Sequence, residues 1–310
     1  LLLSVSTAFA QQLPQFTQYM FNTISINPAY AGSRETLNVT ALHRNQWSGI
    51  DGNPTTSTLS IHTPIKFSNL GVGLSYINDK LGFEKTNYVY ADVSYTVPLS
   101  SEVNMAVGLK GGFTNYRLTT PDINDPFFSE GFTEWNPNMG AGIYVSSNSW
   151  YIGVSSPRIL NTDLNQGEFQ ALERNSYYAI GGYVFNLSEN TKFKPTAILK
   201  YTNGAPASYD FTANLLFFEK FWIGASYRFN DADSFGIVMD YAISDAFRLG
   251  YAYDVPTAQV RPYSGGTHEV ILIYELPRRW LGGIYCVAGL RAWGTSTRTC
   301  RGVPGGSTAC

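Results

Sequence analysis

The sequence has little charge, few cysteines and no long hydrophobic run. Lys, Arg, Asp and Glu make up 14% of its 310 residues, whereas a typical soluble domain has roughly 25%. The net charge is −2 and no basic run occurs, so a nucleic-acid partner is not expected. No run of about 18 apolar residues is present, which excludes a predicted transmembrane helix. The three cysteines, Cys286, Cys300 and Cys310, match no zinc-binding spacing.

Aromatic residues and glycine are abundant instead. Phe, Trp and Tyr account for 15% of the chain and there are 29 glycines, yet the mean hydropathy is only −0.12. This profile is typical of a transmembrane β-barrel, because only alternate residues of each strand face lipid. A soluble β-sandwich or propeller is the alternative that composition leaves open.

Alternation with a period of two begins near Thr36 and continues to about Pro277. It is clearest at 87–99, where apolar Val89, Ala91 and Val93 alternate with polar Asp92 and Ser94. The polar face carries Gly, Ser, Thr and Asn rather than many Lys and Glu, which favours a polar lumen with a lipid-facing exterior.

The pattern predicts an all-β fold, a transmembrane antiparallel barrel of about fourteen strands. The predicted strands lie near 36–46, 56–65, 70–79, 87–98, 102–115, 136–146, 149–156, 176–187, 191–202, 209–218, 221–229, 234–243, 246–254 and 267–276. If the first strand runs outward, the periplasmic turns are short, and the longest loops, 116–135 and 157–175, lie outside. A solvated acidic loop explains Asp122, Asp125, Glu130 and Glu134 better than a calcium site does.

Aromatic residues near strand ends predict belts at the two membrane interfaces. The members are Trp47, Tyr88, Tyr90, Trp135, Trp150, Tyr151, Tyr177, Tyr178, Trp222, Tyr251 and Tyr253.

No pattern in the sequence indicates catalysis, a metal or a cofactor. His43, His62 and His268 lie on different predicted strands, and no G-x-S-x-G, HExxH, CxxC or P-loop motif occurs. We therefore predict that the protein is not an enzyme, and a barrel-type lipase or protease using His43 is the remote alternative.

Five charges fall at mid-strand on the polar face, Asp92, Lys110, Arg228, Asp240 and Arg248, and Lys200 and Asp254 are two further candidates. Lys or Arg facing lipid at the bilayer midplane costs roughly 2–4 kcal/mol, so these residues are expected in the lumen. The favoured interpretation is a salt-bridged plug of a narrow barrel, and the alternative is a conduction path.

The two ends of the chain differ from the barrel pattern. Residues 1–10 read LLLSVSTAFA, which resembles the end of a cleaved signal peptide, and 11–35 form a polar and aromatic segment expected at the barrel mouth. The barrel is expected over 36–277. Residues 278–310 have no period, and we expect an atypical tail that is frameshifted, read-through or disordered.

Several uncommon sequence motifs near the N-terminus resemble those of the PorP/SprF family of outer-membrane barrels linked to type IX secretion and gliding motility. They are Phe16-Thr17-Gln18-Tyr19, Asn27-Pro28-Ala29-Tyr30-Ala31-Gly32, Arg44-Asn45-Gln46-Trp47 and Gly52-Asn53-Pro54-Thr55. The resemblance covers roughly 11–279. We expect the Asn-Pro-Ala-Tyr-Ala-Gly motif to make a tight turn. We also expect Arg44 and Trp47 to clamp the N-terminal segment into the barrel mouth.

The resemblance implies a non-enzymatic role in the outer membrane. Its expected partners are the lipid bilayer, a large secreted adhesin with a C-terminal sorting domain, and a periplasmic lipoprotein of the secretion machine. The alternative function is a channel or porin for small solutes.

Overall fold

Fourteen antiparallel strands make one sheet in the part of the chain that the computed structural model describes, namely 15–34, 36–119, 131–160, 162–163, 172–230, 232–257 and 260–276. The strands are β1 Asn38–Asn45, β2 Thr55–Pro64, β3 Leu70–Leu81, β4 Glu84–Pro98, β5 Asn104–Leu118, β6 Phe132–Ser146, β7 Trp150–Arg158, β8 Ser176–Tyr183 continued by Phe185–Ser188, β9 Thr191–Thr202, β10 Ser208–Phe217, β11 Phe221–Phe229, β12 Ser234–Ala242, β13 Phe247–Pro256 and β14 Thr267–Glu275.

Each strand pairs with its neighbours in sequence, and β1 also pairs with β14, so the sheet closes on itself. This confirms the predicted fourteen-strand barrel. Strands β4, β5 and β6 extend further toward the 119–131 loop than predicted. On β4 and β5 the outward positions there carry Lys85 and Arg117 instead of apolar residues, so the periodicity is harder to recognise.

The outer face carries an apolar band bordered by aromatic residues. Exposed Leu74, Val93, Leu109 and Met139 occupy mid-barrel positions. Exposed aromatic rings lie toward the two ends of the strands: Tyr76, Trp135, Tyr177, Tyr201, Tyr209, Phe229, Phe235 and Tyr251 at one end, and Tyr95, Tyr183, Phe185, Tyr241 and Phe247 at the other. An apolar band between aromatic girdles is the expected surface of a barrel that crosses a bilayer.

Five residues expected in the belts lie in the lumen instead: Tyr88, Tyr90, Tyr151, Tyr178 and Trp222 are each at most 5% exposed. That part of the prediction is wrong. Their positions near strand ends fit a belt, but the alternation of side chains places them on the inner face.

The two ends of the barrel differ in their connections. At the short-turn end the connections span 65–69, 99–103, 147–149, 189–190, 218–220 and 243–246. At the long-loop end lie the connections 46–54, 119–131 and 159–175, the turn that contains the 3-10 helix Arg261–Tyr263, and the shorter connections 82–83, 203–207 and 230–233. The loop acids Asp122, Asp125 and Glu130 and most of 159–175 fall outside the described residues, as do 1–14 and 277–310.

Residues 15–34 lie inside the barrel. They contain three one-turn 3-10 helices, Tyr19–Phe21, Thr23–Ser25 and Pro28–Tyr30, and then join β1 at the short-turn end. Among the described residues, no helix is long and apolar enough to cross a bilayer. We call residues 15–34 the lumen segment.

The apolar band generates a stability prediction. Leu74 is 60% exposed at mid-barrel, so Leu74→Lys should lower the free energy of unfolding in lipid bilayers by about 2–4 kcal/mol. The matched control, Ser101→Lys in an exposed short turn, should change it by less than about 1 kcal/mol. Denaturant unfolding in vesicles measures both, and equal costs would argue against a lipid-facing position for Leu74.

Candidate functional site: the occupied lumen

The lumen segment runs from the long-loop end of the barrel to the short-turn end. Near its start, Gln15 Nε2 donates a hydrogen bond to Asp210 Oδ2, 2.8 Å away near the beginning of β10. Near its end, Ser94 Oγ, toward the far end of β4, donates to the carbonyl oxygen of Ala31 at 2.6 Å. The segment therefore extends well beyond the barrel mouth where the sequence suggested it would sit.

Arg44 and its carboxylate partners Asp254 and Glu269 make the densest set of contacts to this segment. Arg44 Nη1 lies 3.0 Å from Glu269, 3.2 Å from Asp254 and 3.0 Å from Thr17 Oγ1. Glu269 also accepts hydrogen bonds from the backbone N–H groups of Thr17, at 3.0 Å, and Gln18, at 2.7 Å. Arg44, Asp254 and Glu269 are all at most 2% exposed. We call these three residues with Thr17 the Arg44 cluster.

The fold brings the cluster together because β1, β13 and β14 are neighbours in the closed sheet. Arg44 lies opposite Glu269 in the β1–β14 pairing, and Glu269 lies opposite Ala252 in the β13–β14 pairing. Sequence reasoning missed Glu269, because the apolar run Val270-Ile271-Leu272-Ile273 that follows it shows no alternation that would assign its face.

The other motifs that resemble the family form hydrogen bonds within the loop after β1. Asn53 Nδ2 donates to Asn45 Oδ1 and to the carbonyl of Gln46, and the Gln46 N–H donates to Pro54. The Trp47 N–H donates to Thr267 Oγ1 at 3.3 Å, and Trp47 has a φ of 54°. Trp47 therefore ties this loop to β14, whereas Arg44 is the residue that reaches the lumen segment.

The five charges singled out from sequence all lie on the inner face. Lys110 Nζ is 3.2 Å from Asp92 Oδ1, and it donates to the carbonyl oxygen of Ile24 at 3.2 Å. This lysine therefore connects the barrel wall to the middle of the lumen segment.

The other charges form two further pairs. Arg228 binds Asp210 through Nε and Nη2, each 3.0 Å from Oδ2. Arg248 pairs with Asp240 and stacks over the ring of Phe21, 5.3 Å from its centroid. Buried charges need partners of this kind because an uncompensated charge loses its hydration without replacement.

The Asn-Pro-Ala-Tyr-Ala-Gly motif folds as a capped turn that packs against the barrel wall. Asn27 Oδ1 accepts from the Ala29 N–H at 3.0 Å, which caps the 3-10 helix that Pro28 begins, and its Nδ2 donates to the carbonyl of Ile143 at 3.0 Å. Gly32 has a φ of 73°, and its N–H donates to His62 Nδ1 at 3.2 Å. Both the turn and its anchoring therefore use the backbone and short side chains.

The wall provides space for this turn through glycines. A Cβ at Gly108 would lie 2.2 Å from the backbone N of Ala29, and one at Gly71 would lie 2.2 Å from the carbonyl oxygen of Ala31. Any larger side chain at these positions would overlap the lumen segment. The close approach explains why a strand-interior glycine, unfavourable by itself, occupies these places.

Tyr30 lies at the short-turn end between barrel residues. Its ring contacts those of His62 and Tyr144 edge-on, both with centroids 5.4 Å away, and its hydroxyl accepts from Arg34 Nε at 3.0 Å. The other two histidines face outward, where His43 bonds Ser57 and His268 bonds Tyr251. The described residues contain no group of three or more His, Cys, Asp or Glu arranged to hold a metal ion.

A small cavity lies beside the Arg44 cluster among the described residues. It has a volume of about 10 Å³, which is roughly the space of one water molecule, and it lies between Thr17, Asp210, Arg228 and Asp254.

Removal of Arg44 tests the main anchor. Arg44→Ala should lower the free energy of unfolding by about 3–5 kcal/mol, because it leaves two buried carboxylates without their cation. The control is Lys192→Ala, whose ion pair with Glu219 is partly exposed and should contribute about 1 kcal/mol or less. Denaturant titration of both variants in the same detergent measures the difference, and a cost for Arg44→Ala no larger than the control would refute the anchoring role.

The glycine contacts give a second test on one strand. Gly108→Leu should displace the turn at Pro28-Ala29 and expose the chain to trypsin at Arg34, whereas Gly111→Leu should not, since a Cβ there meets nothing within 4 Å. Overpacking of this kind costs about 1–3 kcal/mol. Mass spectrometry of limited digests detects cleavage after Arg34, and equal cleavage in the two variants would contradict the docking.

Comparison with known proteins agrees with this architecture. Residues 8–274 match the family described as "Type IX secretion system membrane protein PorP/SprF". Among solved structures, the CymD monoaromatic hydrocarbon channel is similar over 85% of this chain and 94% of its own, with 9% identity and a TM-score of 0.53. The Acinetobacter baumannii outer membrane protein Omp33 is 13% identical, with 79% and 100% coverage and a TM-score of 0.48. No curated protein matches this chain.

The likeness to CymD concerns the fold alone, because so low an identity carries no information about ligands. The family match spans most of the chain and includes the lumen segment, the Arg44 cluster and all but the last residue of β14. The barrel and its family both indicate the outer membrane. The chain belongs to the PorP/SprF family of type IX secretion system membrane proteins.

Proposed function

We propose that this barrel is a closed platform that binds and anchors a large secreted surface protein, an adhesin with a C-terminal sorting domain, during type IX secretion. The observation that carries the proposal is the occupied lumen, in which residues 16–31 are each less than 9% exposed. Because the chain itself fills the lumen, the two rims of the barrel are the surfaces on which a protein partner can bind. We orient the long-loop end toward the outside because periplasmic turns are the shorter ones in bacterial barrels.

The contacts of the lumen segment favour this role over solute transport. An open path would require the segment to leave, which would separate Thr17 and Gln18 from Glu269 and the Ile24 carbonyl from Lys110. Buried polar groups that lose their partners cost roughly 1–3 kcal/mol each. Several such losses at once make the closed form the stable one.

The described part of the long-loop rim offers an ordered surface for the partner. The Ser48 N–H donates to the carbonyl of Gly266 at 2.8 Å, and the Gly265 N–H donates to the carbonyl of Ser48 at 2.7 Å, so two loops are joined. Tyr263, beside this junction, is 78% exposed. Exposed aromatic residues on a rigid support are common anchors of protein interfaces.

Affinity purification from solubilised outer membranes tests the proposal. The tagged protein should recover a very large secreted protein with a sorting domain in near-stoichiometric amount, and Tyr263→Ser should reduce the recovery at least severalfold. Phe218→Ser is the matched control, since Phe218 is 70% exposed in a short turn at the opposite end. Mass spectrometry and band intensities give the ratio.

Two results would contradict the proposal. A barrel that purifies alone under conditions that preserve the membrane complex would remove the anchoring role. Loss of the partner in Phe218→Ser, with full recovery in Tyr263→Ser, would place the partner at the short-turn end and overturn the assignment of the binding rim.

A further inference from the structure

Three cations stand side by side on the outer face of the barrel at the long-loop end. Lys80 on β3 lies directly opposite Lys85 on β4, and Lys85 lies directly opposite Arg117 on β5. All three are exposed. They follow the alternation of exposed Tyr76, Val89 and Phe113 on the same strands, so they belong to the outward face. We call Lys80, Lys85 and Arg117 the cationic row.

The cationic row destabilises the sheet unless an anion binds to it. Like charges directly opposite one another on neighbouring strands destabilise a sheet. In the described part of the chain, no ion pair includes Lys80, Lys85 or Arg117. The nearby acids Asp79 and Glu84 occupy register positions of the opposite face, and Asp79 accepts a hydrogen bond from Thr56 at 2.6 Å.

From the cationic row toward the middle of the barrel, the exposed residues change from charged to polar to apolar, which is the order of the layers in a lipid leaflet. Directly beneath the row is a ladder of asparagines, in which Asn78 Nδ2 donates to Asn87 Oδ1 at 2.7 Å and Asn87 Nδ2 donates to Asn115 Oδ1 at 3.3 Å. Beneath the asparagines lie the apolar and aromatic residues of the lipid-facing band. At about 3.3 Å per residue, the Cα of Lys80 stands about 13 Å along β3 from that of Tyr76.

We propose that the cationic row binds the phosphate-bearing headgroup of a lipid in the leaflet at the long-loop end. The guanidinium of Arg117 can hold two phosphate oxygens at once, and the two lysines supply further point charges. The asparagine ladder can bond the polar linkage of the lipid, and its acyl chains lie on the apolar band. A lipid fits this surface better than a protein partner because the row continues without interruption into the lipid-facing band.

Native mass spectrometry in detergent tests this site with a defined probe, a phosphorylated glycolipid of the lipid A type. The wild-type protein should retain it, and Lys80→Gln/Lys85→Gln should bind it about thirtyfold more weakly, given the contribution of each basic residue near an anionic surface. Lys66→Gln/Lys220→Gln is the charge-matched control, with both lysines exposed at the short-turn end, and should bind as the wild type does.

Two further arms identify what is recognised. The dephosphorylated glycolipid should bind the wild type no better than it binds the variant, which assigns recognition to the phosphate. Inorganic phosphate at millimolar concentration should fail to displace the lipid, because it lacks the acyl chains. Equal binding by the wild type and Lys80→Gln/Lys85→Gln, or an equal loss in the control, would overturn the proposal, as would full competition by inorganic phosphate.

Thermal stability provides an independent readout. In detergent without anionic lipid, Lys85→Gln should raise Tm by a few degrees because it removes two like-charge contacts. With the phosphorylated glycolipid present, the wild type should gain more Tm than Lys85→Gln gains. An equal lipid-induced gain in Tm by the wild type and Lys85→Gln would contradict a headgroup site.

Discussion

The ion-paired contact between Arg44 and the carboxylates of Asp254 and Glu269 is the interaction on which the interior of this barrel depends. A lumen lined with charge is stable only if each charge is matched, and two carboxylates with one arginine still have capacity to accept hydrogen bonds. The backbone of Thr17 and Gln18 uses that capacity. The barrel wall and the lumen segment therefore satisfy one another, and neither is complete alone.

The same logic connects the wall to its exterior. Because side chains alternate between two faces, the residues that hold the segment and the residues that meet lipid are neighbours along each strand. On β5, buried Gly108 and Lys110 contact the lumen segment, while exposed Leu109 faces outward. The position of the segment and the orientation of the whole sheet are thus fixed together, since a shift of one residue would exchange the two faces.

Much of this could be read from the sequence, and the exceptions have physical reasons. The period of two predicted fourteen strands, and it set Asp92 and Lys110 apart from the apolar face. The same period could have assigned Tyr88 and Tyr90 to the lumen, had it been weighed above their position near strand ends. The fit of Ala29 against Gly108 could not be predicted, because it joins residues far apart in sequence through a segment that has no periodicity of its own.

The central claim is that the lumen is closed by the chain itself, and single-channel recording in planar bilayers tests it most directly. Wild-type protein that is inserted and verified as folded by heat-modifiable migration should give no steady conductance above the bilayer background. Reproducible open-channel steps from the wild-type barrel at low voltage would contradict the account, because ions could pass only if the contacts of Arg44 and Lys110 with the lumen segment were absent.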